Sequence, residues 1–335
     1  MTEWTPSEPE QVRIFEERIA PVVFAHSTAD SPTLVVLDGQ VGSGAPAAAS
    51  RLATEYSDGI AIVSNEGLTA FHPHFLELSR SRSPEATRLL AEPTAGWMTR
   101  SLRHARTTGR SMLLQGTFHT PSAVLAACDV FAQSGFATRV VVVATPRAES
   151  LLAAASRYML DVRAGRGGRF TSVESHDVGF DTTGALTATL ETSPSVDRLT
   201  ILGTGGAVLF EAERTDASSF AGATQALRRG QAQSMSAPRS MRWLSELRAV
   251  TDFALSMGRP SSPVGELLIE LHTVALAEVL PRMPLPTDSQ ARTAGEATLT
   301  RQLVELRRTV PVERPAVDVA APVVAPPGPD RGISR

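Results

Sequence analysis

The segment Leu34-Val35-Val36-Leu37-Asp38 is a short apolar run that ends in Gly39-Gln40-Val41-Gly42-Ser43-Gly44-Ala45-Pro46, where an alanine-rich stretch begins. An apolar strand that stops at a glycine turn and passes into a helix constrains the fold strongly, because this strand–loop–helix unit packs its helix back on a sheet. The spacing from Gly39 to Gly44 is that of G-x-x-x-x-G-K-[ST]. In that loop backbone N–H groups cradle phosphates, the lysine reaches the outer phosphates and the hydroxyl holds magnesium. Here Ala45 stands at the lysine position and Pro46 at the hydroxyl position. The chain has 32 arginines and no lysine, so no other ε-amine substitutes for the missing one. Absence of lysine fits a GC-rich coding bias; it also fits selection against sites of acylation or degradation tagging.

Apolar runs at 33–37, 60–63, 112–114, 139–143 and 199–202 alternate with amphipathic segments, which predicts an α/β fold with a parallel sheet and helices on both faces. Residues 199–202 and 208–210, joined through Gly203-Thr204-Gly205-Gly206, read as an edge hairpin. Residues 10–24 carry Val12, Phe15, Ile19 and Val23 at helical spacing, so residues 1–24 are expected to supply a helix that packs on the core domain of residues 25–214. Helical patterns at 241–257, 264–280 and 290–308 predict a helical extension over 215–308. The proline-, valine- and alanine-rich residues 309–335 lack any amphipathic period and are expected to be disordered.

A formal net charge of -3 offers no general attraction for nucleic acid or anionic membrane, so neither is expected as a partner. No apolar run approaches the ~18 residues of a membrane span, and Met1-Thr2-Glu3-Trp4 lacks a signal pattern, which points to a cytoplasmic protein. Cys128 lies on the apolar side of a helical pattern and is expected to be a buried structural thiol.

Beyond the glycine loop, Ser64-Asn65-Glu66-Gly67-Leu68-Thr69-Ala70-Phe71-His72-Pro73 follows the second strand. Here the chain resembles the zeta toxin family of bacterial P-loop kinases, whose members carry D-x-D-x-x-[RK]-x-x-H-P after a loop G-Q-P-G-S-G-K-[ST]. The likeness continues through Gln115-Gly116-Thr117 (E-G-T in the family), Ala144-Thr145-Pro146, Ser156-Arg157-Tyr158 and Gly167-Gly168-Arg169-Phe170, closed by His176-Asp177. Motifs in this order cover roughly residues 12–212. The resemblance implies a P-loop kinase-like fold and transfer of the γ-phosphate of ATP, with magnesium, to UDP-N-acetylglucosamine. It implies an antitoxin as a protein partner. By position it gives Glu66 the part of the catalytic base, and Arg157, Arg166 and Arg169 the gripping of phosphates. It places His72, Gln115 and Thr117 at the substrate, and Gly39, Gln40, Gly42, Ser43, Gly44, Ala45 and Pro46 in the nucleotide loop. No protein metal ligand is implied.

The departures bear on chemistry. Phosphoryl transfer depends on positioning and on neutralising phosphate charge. Ala45 removes a cation, and Pro46 removes both a hydroxyl and an N–H donor. Asp38 sets a carboxyl beside the cradle, Glu66 lengthens the base by a methylene, Gln115 loses a charge, and Ser64 and Thr69 alter the polar frame. These changes predict a pseudokinase that keeps a nucleotide-sugar or anion pocket and acts as binder, decoy or regulator. An active kinase with arginine in place of the lysine is one alternative, and a non-catalytic interaction scaffold is another. His72-Pro73 reads either as a structural turn or as a substrate contact.

Overall fold

The structure is a computed structural model that describes residues 4–81, 84–118, 120–166, 168–258, 260–286 and 288–309. Gly167 of the expected lid, and the segment from residue 310 onward that was read as a disordered tail, lie outside the described residues.

Among the described residues six strands, β1 (Thr33–Asp38), β2 (Ala61–Ser64), β3 (Met112–Gly116), β4 (Ala137–Ala144), β5 (Arg198–Gly203) and β6 (Val208–Glu213), form one sheet in the order β2-β3-β1-β4-β5-β6. The first five are parallel, and β6 closes one edge antiparallel to β5 as the expected hairpin. β1 lies in the middle. Its Leu34, Val35, Val36 and Leu37 are wholly buried, which is why it reads as an unbroken apolar run and not as an alternating one. Leu34 and Val36 face one side, where Trp97, Val124, Cys128, Leu186 and Leu190 form the larger core. Val35 and Leu37 face the other, against Ala49 and Leu52 of α3 (Ala45–Ala53). Helices on both faces thus complete an α/β layer structure. Burial pushes the Cys128 thiol up to about 12, in keeping with a structural cysteine.

The N-terminal helix starts at Glu8, two residues before the expected boundary, and is not uniform. α1 (Glu8–Ile14) passes through a π turn at Phe15–Ile19 into α2 (Ala20–Val23). Pro21 has no N–H to return to Glu17, so the ladder widens locally and the Ala20 amide reaches the Phe15 carbonyl. A second π turn, Ala275–Val279, precedes Pro281, with the Leu280 amide donating to the Ala275 carbonyl at 2.9 Å.

Beyond the sheet the helices separate into two packing groups. α10 (Ala223–Gln231) puts Ala223 and Leu227 into the larger core of the sheet. α11 (Ala237–Ser256), α12 (Ser262–Val274) and α13 (Gln290–Thr309) build a separate core around Leu247, Leu268, Leu271, Leu299 and Leu306. That core closes on Leu151, Leu152, Ala155 and Met159 of α8 (Arg147–Arg163), the helix that follows β4. This helix therefore carries the C-terminal core directly after the strand that it follows.

Candidate functional site

The glycine loop leaves β1 at the C-terminal edge of the sheet. Gly42 and Gly44 take φ of +82° and +89°, in the left-handed region that glycine enters without penalty. A Cβ on Gly42 would overlap the Ser150 carbonyl oxygen, so here the loop touches the first turn of α8. Gly44 precedes α3 and faces open space. Ala45 and Pro46 are the first two residues of that helix, one buried and the other exposed. Where the motif calls for a cation and a hydroxyl, the start of α3 therefore has a buried methyl group and an exposed ring whose nitrogen carries no hydrogen.

Hydrogen bonds hold the loop from behind. Thr117 Oγ1 donates to the Gly39 carbonyl at 2.8 Å, and Thr145 Oγ1 donates to the Ser43 carbonyl at 2.7 Å. Gln40 Nε2 donates to the Thr145 carbonyl at 2.9 Å and to Ser150 Oγ at 3.2 Å. The Ser43 amide donates back to the Gln40 carbonyl at 3.0 Å. Gln40 and Ser43 are buried supports, while Thr117, expected at the substrate, braces the loop backbone. Gln115, the other expected substrate contact, is half-buried on β3, level with Leu37 of β1 and Ser64 of β2.

Asp38 is 1% exposed. Its Oδ1 accepts from the Phe118 amide at 3.2 Å, and burial raises its carboxyl to about 6 against the bonds from Phe118, Thr183 and Gly39. The charge expected beside the cradle is thus enclosed next to α9 (Val173–Thr192) and does not line the open mouth.

α4 (Asn65–Thr69) carries Glu66 in its first turn. Ser64, one of the departures from the family frame, caps this helix: its Oγ accepts from the Gly67 amide at 3.0 Å. Glu66 and Arg157 of α8 form an ion pair with both side chains more than half exposed. The expected base and one expected phosphate-binding arginine therefore meet directly. Arg166 instead pairs with Asp161 at 3.0 Å, beyond the end of α8, and its amide donates to the Asp161 carbonyl. Arg169 is exposed and has no ion pair among the described residues. His72 is buried: its Nδ1 accepts from the His74 amide at 3.1 Å and its ring meets Trp97 edge-on. Burial, then the neighbouring His74, lowers its pKa.

His176 and Asp177, read as the close of an arginine lid, lie near the start of α9, and the His176 side chain is wholly buried. They contact the loop's supports. Sequence reasoning gave no part to Arg147, Ser150 or Glu270: the first two stand one turn apart at the start of α8, the third lies more than a hundred residues on, and none belongs to a motif.

Among the described residues, no group of three or more histidine, cysteine, aspartate or glutamate side chains is placed to hold a metal ion. Pro46 offers no hydroxyl to a magnesium ion and Ala45 no cation to a polyphosphate. No helix among the described residues is long and apolar enough to cross a membrane.

Comparison with known proteins places this geometry in context. A sequence profile of the zeta toxin family matches residues 18–215, more than half of the chain. The chain is 26% identical over 130 residues to toxin zeta of Streptococcus agalactiae, and 25% identical over 150 residues to toxin zeta of Enterococcus hirae. These matches take in 38% and 43% of this chain, and 45% and 52% of the relatives, so the chain spans about half the length of each. A solved structure of the PezAT chromosomal toxin–antitoxin system of Streptococcus pneumoniae superimposes with a TM-score of 0.63 at 16% identity. It covers 74% of this chain and 98% of that one, a likeness of fold.

Proposed function

The chain belongs to the zeta toxin family, and from that premise we propose that it is a member that binds a phosphorylated small molecule, a nucleotide-sugar by family resemblance, without transferring phosphate efficiently. The observation that carries this reading is the start of α3, where Ala45 and Pro46 leave the mouth of a well-formed cradle without cation, hydroxyl or second-position N–H. Catalysis of phosphoryl transfer comes from neutralising charge in place, so these losses fall on the step and not on the fold. The Glu66–Arg157 pair adds to it, since each partner satisfies the other where a base and a phosphate grip are required. Arg169, exposed and unpaired among the described residues, is the cation left to meet a ligand phosphate. In this role the protein is a binder, decoy or regulator, and an antitoxin-like protein is its natural partner class, given the toxin–antitoxin system that shares its fold.

Titration calorimetry and a phosphorylation assay test the proposal together. Magnesium–ATP is expected not to bind at millimolar concentration, and UDP-N-acetylglucosamine to bind and to lose about tenfold or more in affinity on Arg169→Ala, with Arg307→Ala as an exposed control. Wild-type protein should form no phosphorylated sugar nucleotide. The variant Ala45→Lys, Pro46→Ser, Asp38→Gly, Glu66→Asp, Gln115→Glu should form some. Turnover by the wild type would overturn the proposal in favour of an arginine-assisted kinase. No binding to the wild type and no turnover by the folded five-site variant would overturn it in favour of an interaction scaffold.

A further inference from the structure

Behind the glycine loop runs a chain of polar contacts that the loop's own chemistry does not require. Gln40 Nε2 donates to Ser150 Oγ, and Ser150 Oγ lies 2.9 Å from His176 Nε2. His176 Nδ1 lies 3.1 Å from Asp177 Oδ1. Arg147 grips both oxygens of Asp177 at 2.8 Å and extends its remaining nitrogen to Glu270 of α12 at 2.9 Å. The contacts run from the loop through α8 and α9 to the C-terminal layer without a gap.

Their directions are mutually consistent. A carboxylate at Nδ1 places the imidazole proton there, which leaves Nε2 to accept the Ser150 hydroxyl proton, and Ser150 Oγ in turn accepts from Gln40. Burial lowers the pKa of His176 against the pull of Asp177, which keeps the ring neutral and this order of donors intact. For Asp177, the bonds from Arg147 and His176 outweigh the effect of burial and hold it below the usual carboxylate range. Hydroxyl, imidazole and carboxylate stand in the order found in serine hydrolases. Here, though, Ser150 and His176 are both 0% exposed, so no substrate meets the hydroxyl. What such an enclosed chain transmits is position. Gly42 packs on the Ser150 carbonyl, so the serine that receives Gln40 also sets the floor under the loop.

We propose that Ser150, His176, Asp177 and Arg147 are positioning residues that form one relay, through which α12 of the C-terminal layer sets the conformation of the glycine loop. What steadies or displaces α12 then changes ligand binding at the loop, and a ligand at the loop changes α12 by the same factor. The inference rests on the function proposed above only for what the loop binds; the relay itself is tested without a ligand.

The reporter is the Ser43 amide, whose bond to the Gln40 carbonyl closes the loop. Its hydrogen exchange, followed by NMR or fragment-resolved mass spectrometry, reads local opening. Arg147→Met should speed that exchange about tenfold in the wild-type background and less than twofold in a Ser150→Ala background, where the relay is already cut. Packing effects that travel by another route would add, giving the same acceleration in both backgrounds, and that outcome overturns the proposal. Unchanged exchange on Arg147→Met overturns it too. Should Arg147→Met not fold, Glu270→Gln removes only the terminal charge and is expected to give the same non-additive pattern at about threefold. Because no ligand enters the measurement, a negative titration with UDP-N-acetylglucosamine leaves it intact, and a negative exchange result leaves the binding proposal intact.

Discussion

At the end of β1 the carboxyl group of Asp38 is enclosed, 1% exposed. Asp38 is held near 6, above its unfolded value of 3.8, chiefly because burial disfavours its charge. A raised carboxyl pKa favours the protonated folded state. This contribution is therefore fully present below about pH 4 and is lost as the pH rises through 6, in all about 3 kcal/mol for a shift of roughly two units. Asp38→Asn keeps the acceptor for the Phe118 amide and removes the titration. Its stability relative to wild type should rise by about 3 kcal/mol between pH 4 and pH 7.5 in urea denaturation. Parallel pH curves for the two proteins would show that Asp38 ionises in the fold as freely as in water. The same residue illustrates a limit of reading charge from sequence: its position beside the cradle was evident, but its enclosure under α9 was not.

The loop as an element draws its shape from two glycines with unequal surroundings. Gly42 and Gly44 both have positive φ, so alanine at either costs about 1–2 kcal/mol in backbone strain. At Gly42 the added methyl also meets the carbonyl of Ser150, backbone that cannot swing aside. At Gly44 it meets nothing within 4 Å. Gly42→Ala should therefore destabilise by about 3 kcal/mol or more and Gly44→Ala by about 1–2 kcal/mol, read from denaturation midpoints. Equal losses would mean that the loop does not rest on α8. The glycine spacing was legible because a turn of this kind is written in consecutive residues. The surface it rests on was not, because Ser150 is supplied by a helix more than a hundred residues later.

At the scale of the whole molecule, α8 links the C-terminal core to the glycine loop. Its Leu151 and Leu152 pack into the C-terminal layer, Trp243 of α11 donates from Nε1 to the Ala148 carbonyl at 2.9 Å, and its Ser150 supports the loop. Shared ownership of a buried helix couples the stabilities of the two parts. Leu268, wholly buried at the centre of the C-terminal cluster, provides the test. Leu268→Ala should cost about 2–5 kcal/mol and shift a single calorimetric transition to lower temperature. A separate, earlier transition for the C-terminal layer would show that α8 does not bind the two into one cooperative unit.

The sequence by itself determined the strands, the parallel sheet, the closing hairpin and the glycine turn, since each depends on residues within a few positions of one another: apolar runs, helical spacing, glycine clusters. Family likeness singled out Glu66 and Arg157 for separate roles; their ion pair is a contact of the folded chain. Local pattern also fixed what the loop lacks, because Ala45 and Pro46 are chemically unable to supply a cation or a metal-holding hydroxyl in any fold. The tertiary structure alone decided that Asp38 is enclosed, that His72 is buried against Trp97, that Arg166 turns to Asp161, and that His176 stands behind the loop and not in a lid. These outcomes rest on contacts such as Gln40 with Ser150 and Arg147 with Glu270, separated by 110 and 123 positions along the chain. Nothing in the neighbourhood of either residue encodes its partner; the meeting follows from how the sheet and the two helical layers pack.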